Sequence, residues 1–283
     1  MSYKNVVLTG IPRSGSSLIC SLYNNYANSL ALLEPINPFS IKTQNSIEAV
    51  EYVNDFFFQM RKEIHYSKRF VTHHKENKII SNMLSDTQKE SEGLRQKVVQ
   101  HGYVSLEKEL QRDFSLLIKQ NAFFTALLPD LVNFFDTYVV VRNPLSVLFS
   151  WNSVDLPVYR GHVPAGERFD EALKKKLEIT VDRIDRQVII LEWFFRQFLQ
   201  NIPQSNVLFY EDIVAGKFKT LEKLSYDKNS INAHANMKNK NSNKLYNKEL
   251  AEVLRKKIFQ SSGYYKHFYS DEAIEEVFEM IDA

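Results

Sequence analysis

Cysteine is nearly absent from this chain, which has one thiol, Cys20, among 283 residues. A single cysteine excludes an intramolecular disulfide framework and is typical of a protein from a reducing compartment. Cys20 lies in the first turns of a predicted helix, where we expect it to pack as a small apolar side chain and not to act as a nucleophile. The fold is therefore expected to depend on its apolar core.

The chain also has little net charge and no long apolar run. Its formal net charge of +2 is too small for bulk attraction to nucleic acid. The sequence enters an apolar segment at Val6 without the pattern of a secretory leader, and no run of residues is long enough to span a bilayer. These absences predict a cytoplasmic protein with a small-molecule partner, bound to neither nucleic acid nor membrane.

The sequence does contain the material for a globular core. Hydrophobic residues make up 44% of the chain and charged residues 25%, and 20 Phe and 14 Tyr are available for packing. These fractions are typical of folded domains and argue against disorder. Because neither an internal repeat nor a linker is evident, we expect a single domain over residues 1–283.

The most informative segment is an apolar run that leads through a Gly- and Ser-rich loop into a helical pattern. The loop has the glycine spacing of a P-loop, but Ser16 occupies the position of the phosphate-binding Lys, and the basic residue is Arg13. A guanidinium holds an oxyanion through several donors, and the amides at a helix N-terminus add more without a metal. The loop therefore predicts a site for a phosphate-type group. Its residues are Gly10, Ile11, Pro12, Arg13, Ser14, Gly15, Ser16 and Ser17.

Apolar runs with strand character alternate with helical patterns along the chain. This alternation predicts an α/β fold of three layers, α/β/α, with a central parallel sheet whose ligands bind at the carboxyl ends of the strands. The predicted strands are 6–10, 31–33, 114–119, 138–141 and 206–210. A charged residue follows four of them, which places these side chains at one edge of the sheet: Arg13, Glu34, Lys119 and Arg142.

Helices are predicted between these strands, and two segments fall outside the alternation. Apolar spacing and capping residues predict helices at 16–28, 44–66, 121–135 with a break near Pro129, 144–151, 168–200 and, as the last helix, 248–260. Residues 44–110 are expected to form a lid or acceptor-binding insertion, within which 81–101 is read as helix or loop. Residues 217–247, with Lys238, Lys240 and Lys244, are read as a mobile basic loop.

Two motifs in the correct order resemble the sulfotransferases that use 3′-phosphoadenosine 5′-phosphosulfate (PAPS). The loop around Arg13 is similar to the segment that binds the 5′-phosphate in that family. The strand that ends at Arg142, with Ser150 two helical turns later, is similar to the segment that binds the 3′-phosphate. The tract 207–213, which contains Tyr210-Glu211-Asp212, looks like a strand exit common in the family.

This resemblance implies a fold and a set of residue roles. The fold would be the P-loop-like sulfotransferase fold, closer to the bacterial and tyrosyl-protein type than to the cytosolic type. PAPS would be the donor and 3′-phosphoadenosine 5′-phosphate (PAP) the product, with no metal. Glu34 would be the general base and Lys119 would assist the leaving group, although Asn121 stands where the family's Lys-x-Pro tract has Pro. The implied cofactor-binding residues are Pro12, Arg13, Ser14, Gly15, Ser16, Ser17, Arg142 and Ser150.

Several alternatives remain open at the level of sequence. The acceptor is expected to be the hydroxyl or amine of a small molecule, for instance a bacterial natural product. A P-loop kinase of a small metabolite and a non-catalytic nucleotide-binding module are the competing functions, and magnesium dependence would separate the kinase. Histidine is the base in other members of the family. The alternatives to Glu34 as the base are therefore His65, His73, His74, His101 and His162.

Overall fold

The computed structural model describes residues 3–85, 93–224, 237, 239–241 and 248–282. Its strands are β1 (Asn5–Gly10), β2 (Ser29–Leu33), β3 (Arg69–His74), β4 (Gln100–Ser105), β5 (Ser115–Lys119), β6 (Asp136–Val141) and β7 (Val207–Phe209). Five of them form a parallel sheet in the order β2-β5-β1-β6-β7, and β3 pairs with β4 in an antiparallel pair. The strands of the central sheet are buried at almost every position because both of their faces are covered.

Helices cover both faces of this sheet. Val6 and Leu8 of β1 pack in one apolar cluster with Ile19 of the first helix, while Val7 belongs to a cluster on the opposite face. The predicted three-layer α/β/α architecture is therefore confirmed. The helices are α1 (Ser16–Tyr23), α2 (Ser46–Lys62), α3 (Ala122–Ala126), α4 (Leu128–Leu131), α5 (Pro144–Trp151), α6 (Pro164–Phe169), α7 (Glu171–Ile179), α8 (Arg183–Asn201), α9 (Tyr210–Val214), α10 (Lys248–Phe259) and α11 (Asp271–Asp282).

The prediction of one long helix over 168–200 is wrong, because two aspartates interrupt it. Asp170 accepts a hydrogen bond from the Leu173 amide and caps α7, and Asp182 accepts one from the Asp185 amide and caps α8. A capping carboxylate satisfies the free amides of a new helix, so it competes with continuation of the preceding one. Separate helices α6, α7 and α8 result.

Smaller differences occur elsewhere. Helix α1 ends at Tyr23, short of the predicted 16–28, and the helix predicted at 121–135 divides into α3 and α4 at Leu127. Helix α10 lies where 248–260 was predicted but is not the last, because Gly263 (φ 76°) turns the chain toward α11. Cys20, a residue of α1, is fully buried in an apolar cluster, and burial raises the pKa of its thiol to about 12. That environment agrees with a packed, inert thiol.

The antiparallel pair β3–β4 was not predicted, and it lies inside the 44–110 segment. It contacts the carboxyl end of β2, where the Leu33 amide donates to Thr72 Oγ1 at 2.8 Å. The described part of 81–101 contains no helix, only loop with isolated bridges before β4 begins at Gln100. The insertion is thereby positioned at the edge of the sheet where the charged residues gather.

Candidate functional site

The carboxyl ends of β1, β2 and β5 place three predicted site residues close together. Lys119, the last residue of β5, pairs in register with Leu33 of β2 and Leu8 of β1. Glu34 follows β2, and its amide donates to the Lys119 carbonyl oxygen at 2.8 Å. The parallel register therefore brings Glu34 and Lys119 next to the loop that follows β1.

The loop after β1 is a tight turn that leads directly into α1. The Ser14 amide donates to the Ile11 carbonyl at 2.9 Å, and Arg13 and Gly15 adopt positive φ angles of 74° and 93°. Helix α1 then begins at Ser16, and no side chain caps its N-terminus, whereas Asn143 caps α5. The first amides of an uncapped helix are free to bind an anion.

Gly15 lacks a side chain where Tyr210 needs the space. A Cβ built on Gly15 would lie 2.6 Å from Tyr210 Cδ2, and the positive φ angle would be strained for any other residue. The ring of Tyr210 also lies under Arg142, whose Cζ is 4.5 Å from the ring centroid. Tyr210 therefore packs between the loop and Arg142.

We expect Gly15→Ala to destabilise the protein more than Gly216→Ala. Both glycines have positive φ, which costs an alanine about 1–2 kcal/mol, but a Cβ on Gly216 meets nothing within 4 Å. The contact with Tyr210 adds about 1–3 kcal/mol to the cost at Gly15. Urea unfolding of the two variants measures the difference, and equal losses would show that Tyr210 does not constrain the loop.

Arg13 connects the loop to two other parts of the chain. Its Nε donates to Ser150 Oγ at 3.2 Å, and its NH1 donates to Asn82 Oδ1 at 3.2 Å. Ser16 Oγ donates to Asn121 Oδ1 at 3.3 Å. The side chain of Ser14 is fully buried, while Pro12 and Ser17 line the cavity described below. The loop is thus held by groups from α5, the insertion and the residue that precedes α3.

Arg142 and Ser150 are not hydrogen-bonded to each other, although they were predicted to share one phosphate. Each contacts Arg13 instead: Ser150 through its hydroxyl, and Arg142 through a bond from NH1 to the Arg13 carbonyl at 3.1 Å. Arg142 also donates from Nε to Asn241 Oδ1 at 2.8 Å and from NH2 to the Lys240 carbonyl at 2.5 Å. Arg142 lines the cavity with these donors already engaged.

Arg142 is held by Asn241, which is in turn held by Glu211. Asn241 is 4% exposed, and its amide nitrogen donates to Glu211 Oε1 at 2.9 Å. Glu211 also accepts from the Asn143 amide at 3.0 Å and from the Tyr269 hydroxyl at 2.7 Å. Of the Tyr210-Glu211 pair noted in the sequence, Glu211 therefore holds Asn241 next to Arg142, while Tyr210 packs under Arg142 and also lines the cavity described below. Lys238 and Lys244 of the predicted basic loop lie outside the described residues.

Glu34 and Lys119 form an ion pair at the floor of the site. Lys119 Nζ donates to Glu34 Oε1 at 2.5 Å, and the side chains are 1% and 26% exposed, respectively. Burial favours the neutral acid, but the charge and hydrogen bond of Lys119, with smaller effects from His73 and Lys97, outweigh it and lower the pKa of Glu34. Glu34 is therefore a carboxylate at neutral pH, and its Oε2 has no hydrogen bond to the described residues.

The stabilisation from Glu34 should disappear in acid. The pKa of Glu34 is lower in the folded state than the value of about 4.3 expected when unfolded, so its charge stabilises the fold above that pH. That contribution is lost as the pH falls through the folded-state pKa. We expect the free energy of unfolding of wild type to exceed that of Glu34→Gln at pH 7 and to approach it in acid, measured by urea unfolding.

Glu107→Gln is the matched control for this pH series. Glu107 is exposed and makes no ion pair within the described ranges, so its replacement should leave the pH dependence close to that of wild type. A difference between wild type and Glu34→Gln that stays constant from pH 7 to pH 3 would contradict the assignment of a lowered pKa to Glu34.

The histidines are less suited to act as the base. His73 donates from Nδ1 to the Leu33 carbonyl (3.2 Å) and accepts from Lys97 Nζ at Nε2 (2.8 Å), so both ring nitrogens are engaged. His162 is engaged at both nitrogens by Glu167 and Arg186. His101 Nε2 contacts the Pro35 carbonyl at 2.9 Å. His65 and His74 do not line the cavity, whereas Glu34 does.

These groups surround one cavity of about 750 Å³. It extends from the loop and Arg142 to Glu34 and Lys119, and continues to an apolar wall that includes Phe123 and Val163. Glu34 is the one carboxylate among its described lining residues, against six basic side chains: Arg13, Arg95, Lys97, Lys119, Arg142 and Lys240. Such an excess of cations in a partly enclosed space favours an anionic ligand.

Three contributors to the site escaped prediction from sequence. Asn82, Lys97 and Asn241 lie in polar segments without periodicity. In the described ranges, no group of three or more His, Cys, Asp or Glu side chains could hold a metal ion, and metal-free binding stays a prediction. No described helix has both the length and the apolarity needed to cross a membrane.

Comparison with known proteins assigns the chain to no family. No protein-family model matches the sequence, and no curated protein matches it either. The cavity and its residues are therefore the basis for any statement about function.

Proposed function

We propose that this chain is a sulfotransferase that moves a sulfuryl group from PAPS to a hydroxyl or amine of a small acceptor, with PAP as the second product. The observation that carries the proposal is that the Glu34–Lys119 pair and the Arg13 loop line the same cavity. One end of this cavity offers donors for a phosphate, and the other offers a carboxylate base. The single, buried Cys20 fits the cytoplasm, which we propose as its compartment.

The residues around the loop fit the 5′ end of such a nucleotide. The uncapped N-terminus of α1 supplies amide donors, and Arg13 supplies a guanidinium at the same place. Ser16, at the position of the usual P-loop Lys, is engaged with Asn121 and brings no positive charge. The cationic role therefore falls to Arg13, whose planar group can stabilise the charge that develops on oxygens during transfer.

Glu34 is positioned to remove the proton of the acceptor. The donor, when bound, supplies the sulfuryl group, whose bond to the 5′-phosphate oxygen breaks as the bond to the acceptor oxygen or nitrogen forms. Glu34 accepts the acceptor's proton at Oε2, while Lys119 keeps Oε1 occupied and holds the carboxylate in one orientation. Lys119 also offers positive charge beside the leaving group.

The second motif supports the 3′-phosphate through Arg142. Its guanidinium lines the cavity, and Asn241, Glu211 and Tyr210 hold it there. Its bonds to the Lys240 and Arg13 carbonyls are contacts that a phosphate would replace with stronger, charge-assisted ones. We assign Ser150 a supporting role toward Arg13 as well as the predicted contact with the phosphate.

Formation of PAP from PAPS tests this function. The purified protein is incubated with PAPS and separate phenol, alcohol and amine acceptors, and PAP release and acceptor mass are followed together. We expect equimolar PAP and sulfated product with at least one acceptor class. Phosphorylation of the same acceptors from magnesium-ATP, with no transfer from PAPS, would favour the kinase instead.

A further inference from the structure

Lys97 brings a second positive charge to the end of the cavity that holds Glu34. Lys97 Nζ lies 2.8 Å from His73 Nε2, and His73 Nδ1 lies 3.2 Å from the Leu33 carbonyl. A carbonyl only accepts, so Nδ1 carries the hydrogen and Nε2 accepts from the ammonium. His73 thus connects Lys97 to Leu33, the residue that precedes Glu34.

The charge of Lys97 is not neutralised by this contact. Its imidazole partner is neutral: burial, together with the charge of Lys97, lowers the pKa of His73. Among the described residues no carboxylate lies within 4 Å of Lys97 Nζ, whereas Lys119 is paired with Glu34. Lys97 is exposed and lines the cavity, so it presents a cation without a contacting carboxylate to whatever binds beside Glu34.

The neighbouring wall of the cavity is apolar. Ile36 lies two residues after Glu34 and belongs with Phe123 to one buried cluster, against which Ala165 packs. These three residues line the cavity together with Phe39, a residue that is 57% exposed. An exposed phenylalanine at a cavity wall is expected to gain by contact with an apolar ligand.

We infer that the acceptor is an amphipathic hydroxyl compound, with an apolar body against Ile36, Phe39 and Phe123 and an acidic oxyanion group on Lys97. The inference rests on the proposed function, since it names the substrate class of that same site. A carboxylate or similar oxyanion would take the N–H donors of Lys97 that His73 does not use. The hydroxyl of the same molecule would then face Glu34.

A role for Lys97 toward the sulfuryl group itself makes a different prediction. A cation that stabilises the transferred group acts on every acceptor alike, because that group is common to all of them. A cation that recognises the acceptor discriminates between an acid and its uncharged amide. The contrast between matched acceptors therefore separates the two roles.

The experiment is calorimetric binding of matched acids and amides to the full chain in the presence of PAP. The probes are 3-(4-hydroxyphenyl)propionate with its amide and 10-hydroxydecanoate with its amide, which cover an aromatic and an aliphatic body. The variants are Lys97→Gln and, as a control, Lys256→Gln, because Lys256 is exposed on α10 and does not line the cavity. We expect wild type and the control to bind at least one acid about tenfold more tightly than its amide, and Lys97→Gln to bind the two equally.

Each result has a definite meaning. Equal binding of acids and amides by wild type, no binding of either acid, or a preference that survives in Lys97→Gln overturns the inference. Turnover with PAPS is measured in parallel on the same probes. Transfer to acids and amides alike keeps the sulfotransferase and rejects the anionic acceptor, whereas an acid preference that depends on Lys97 without any transfer keeps the subsite and rejects the sulfotransferase.

Discussion

Replacement of Glu34 by glutamine is expected to lower kcat for sulfuryl transfer by about 10²–10⁴-fold, the usual contribution of a general base. Glutamine keeps an oxygen that can accept from Lys119 Nζ, but it cannot take a proton from the acceptor. Binding of PAP should change little, because Glu34 contacts Lys119 and not the Arg13 loop. The measurement is the rate of PAP formation together with the calorimetric Kd for PAP.

A folding defect must be separated from a loss of chemistry in this variant. The single substitution leaves the buried Lys119 without its carboxylate, and breaking a buried ion pair can cost about 3–5 kcal/mol. The double variant Glu34→Gln/Lys119→Met removes both charges at similar volume and should recover stability without recovering activity. Full turnover in a folded Glu34→Gln protein would contradict the assignment of Glu34 as the base.

Arg13→Ala is the second change with a large expected effect, a fall in kcat/KM of about 10²–10³-fold, comparable with loss of one oxyanion-stabilising donor. Arg13 is the basic residue of the loop, and Ser16 brings no charge to compensate for it. The substitution leaves the backbone requirement unchanged, since Arg and Ala pay a similar cost at φ 74°. Steady-state kinetics with PAPS as the varied substrate measures the effect.

Two comparison variants sharpen this result. Arg13→Lys keeps the charge but loses the planar fork, so its activity should lie between those of wild type and Arg13→Ala. Ser150→Ala removes the acceptor for Arg13 Nε and should cost less than Arg13→Ala, since the guanidinium itself remains. A loss from Ser150→Ala as large as that from Arg13→Ala would show that positioning by Ser150, and not the charge of Arg13, dominates.

The local units of the fold could be predicted from sequence because each one is short and continuous. The apolar runs at β1 and β6, each followed by a turn and a helix, specify strand, loop and helix without distant information. The β3–β4 pair could not be predicted in the same way, because its strands alternate weakly and a long polar segment separates them. The breaks at Asp170 and Asp182 were missed because the apolar spacing of 168–200 continues across both caps.

The same distinction between local and distant information applies to the candidate site. Arg13, Glu34, Lys119 and Arg142 could be named because parallel strands bring their carboxyl ends to one edge of the sheet. The partners that orient them could not, because Asn82, Lys97 and Asn241 come from distant polar segments whose positions depend on tertiary contacts. The eight-residue spacing of Arg142 and Ser150 also could not predict their contacts, because both side chains contact Arg13 and not each other.

The most direct test of the sulfotransferase proposal is calorimetric binding of PAP, AMP and ATP to the full chain, each with and without magnesium. The account predicts metal-independent binding of PAP that is at least about tenfold tighter than that of AMP, because only PAP offers a 3′-phosphate to Arg142. Arg142→Ala should remove this preference. Equal binding of PAP and AMP, or tighter binding of magnesium-ATP than of PAP, would contradict it.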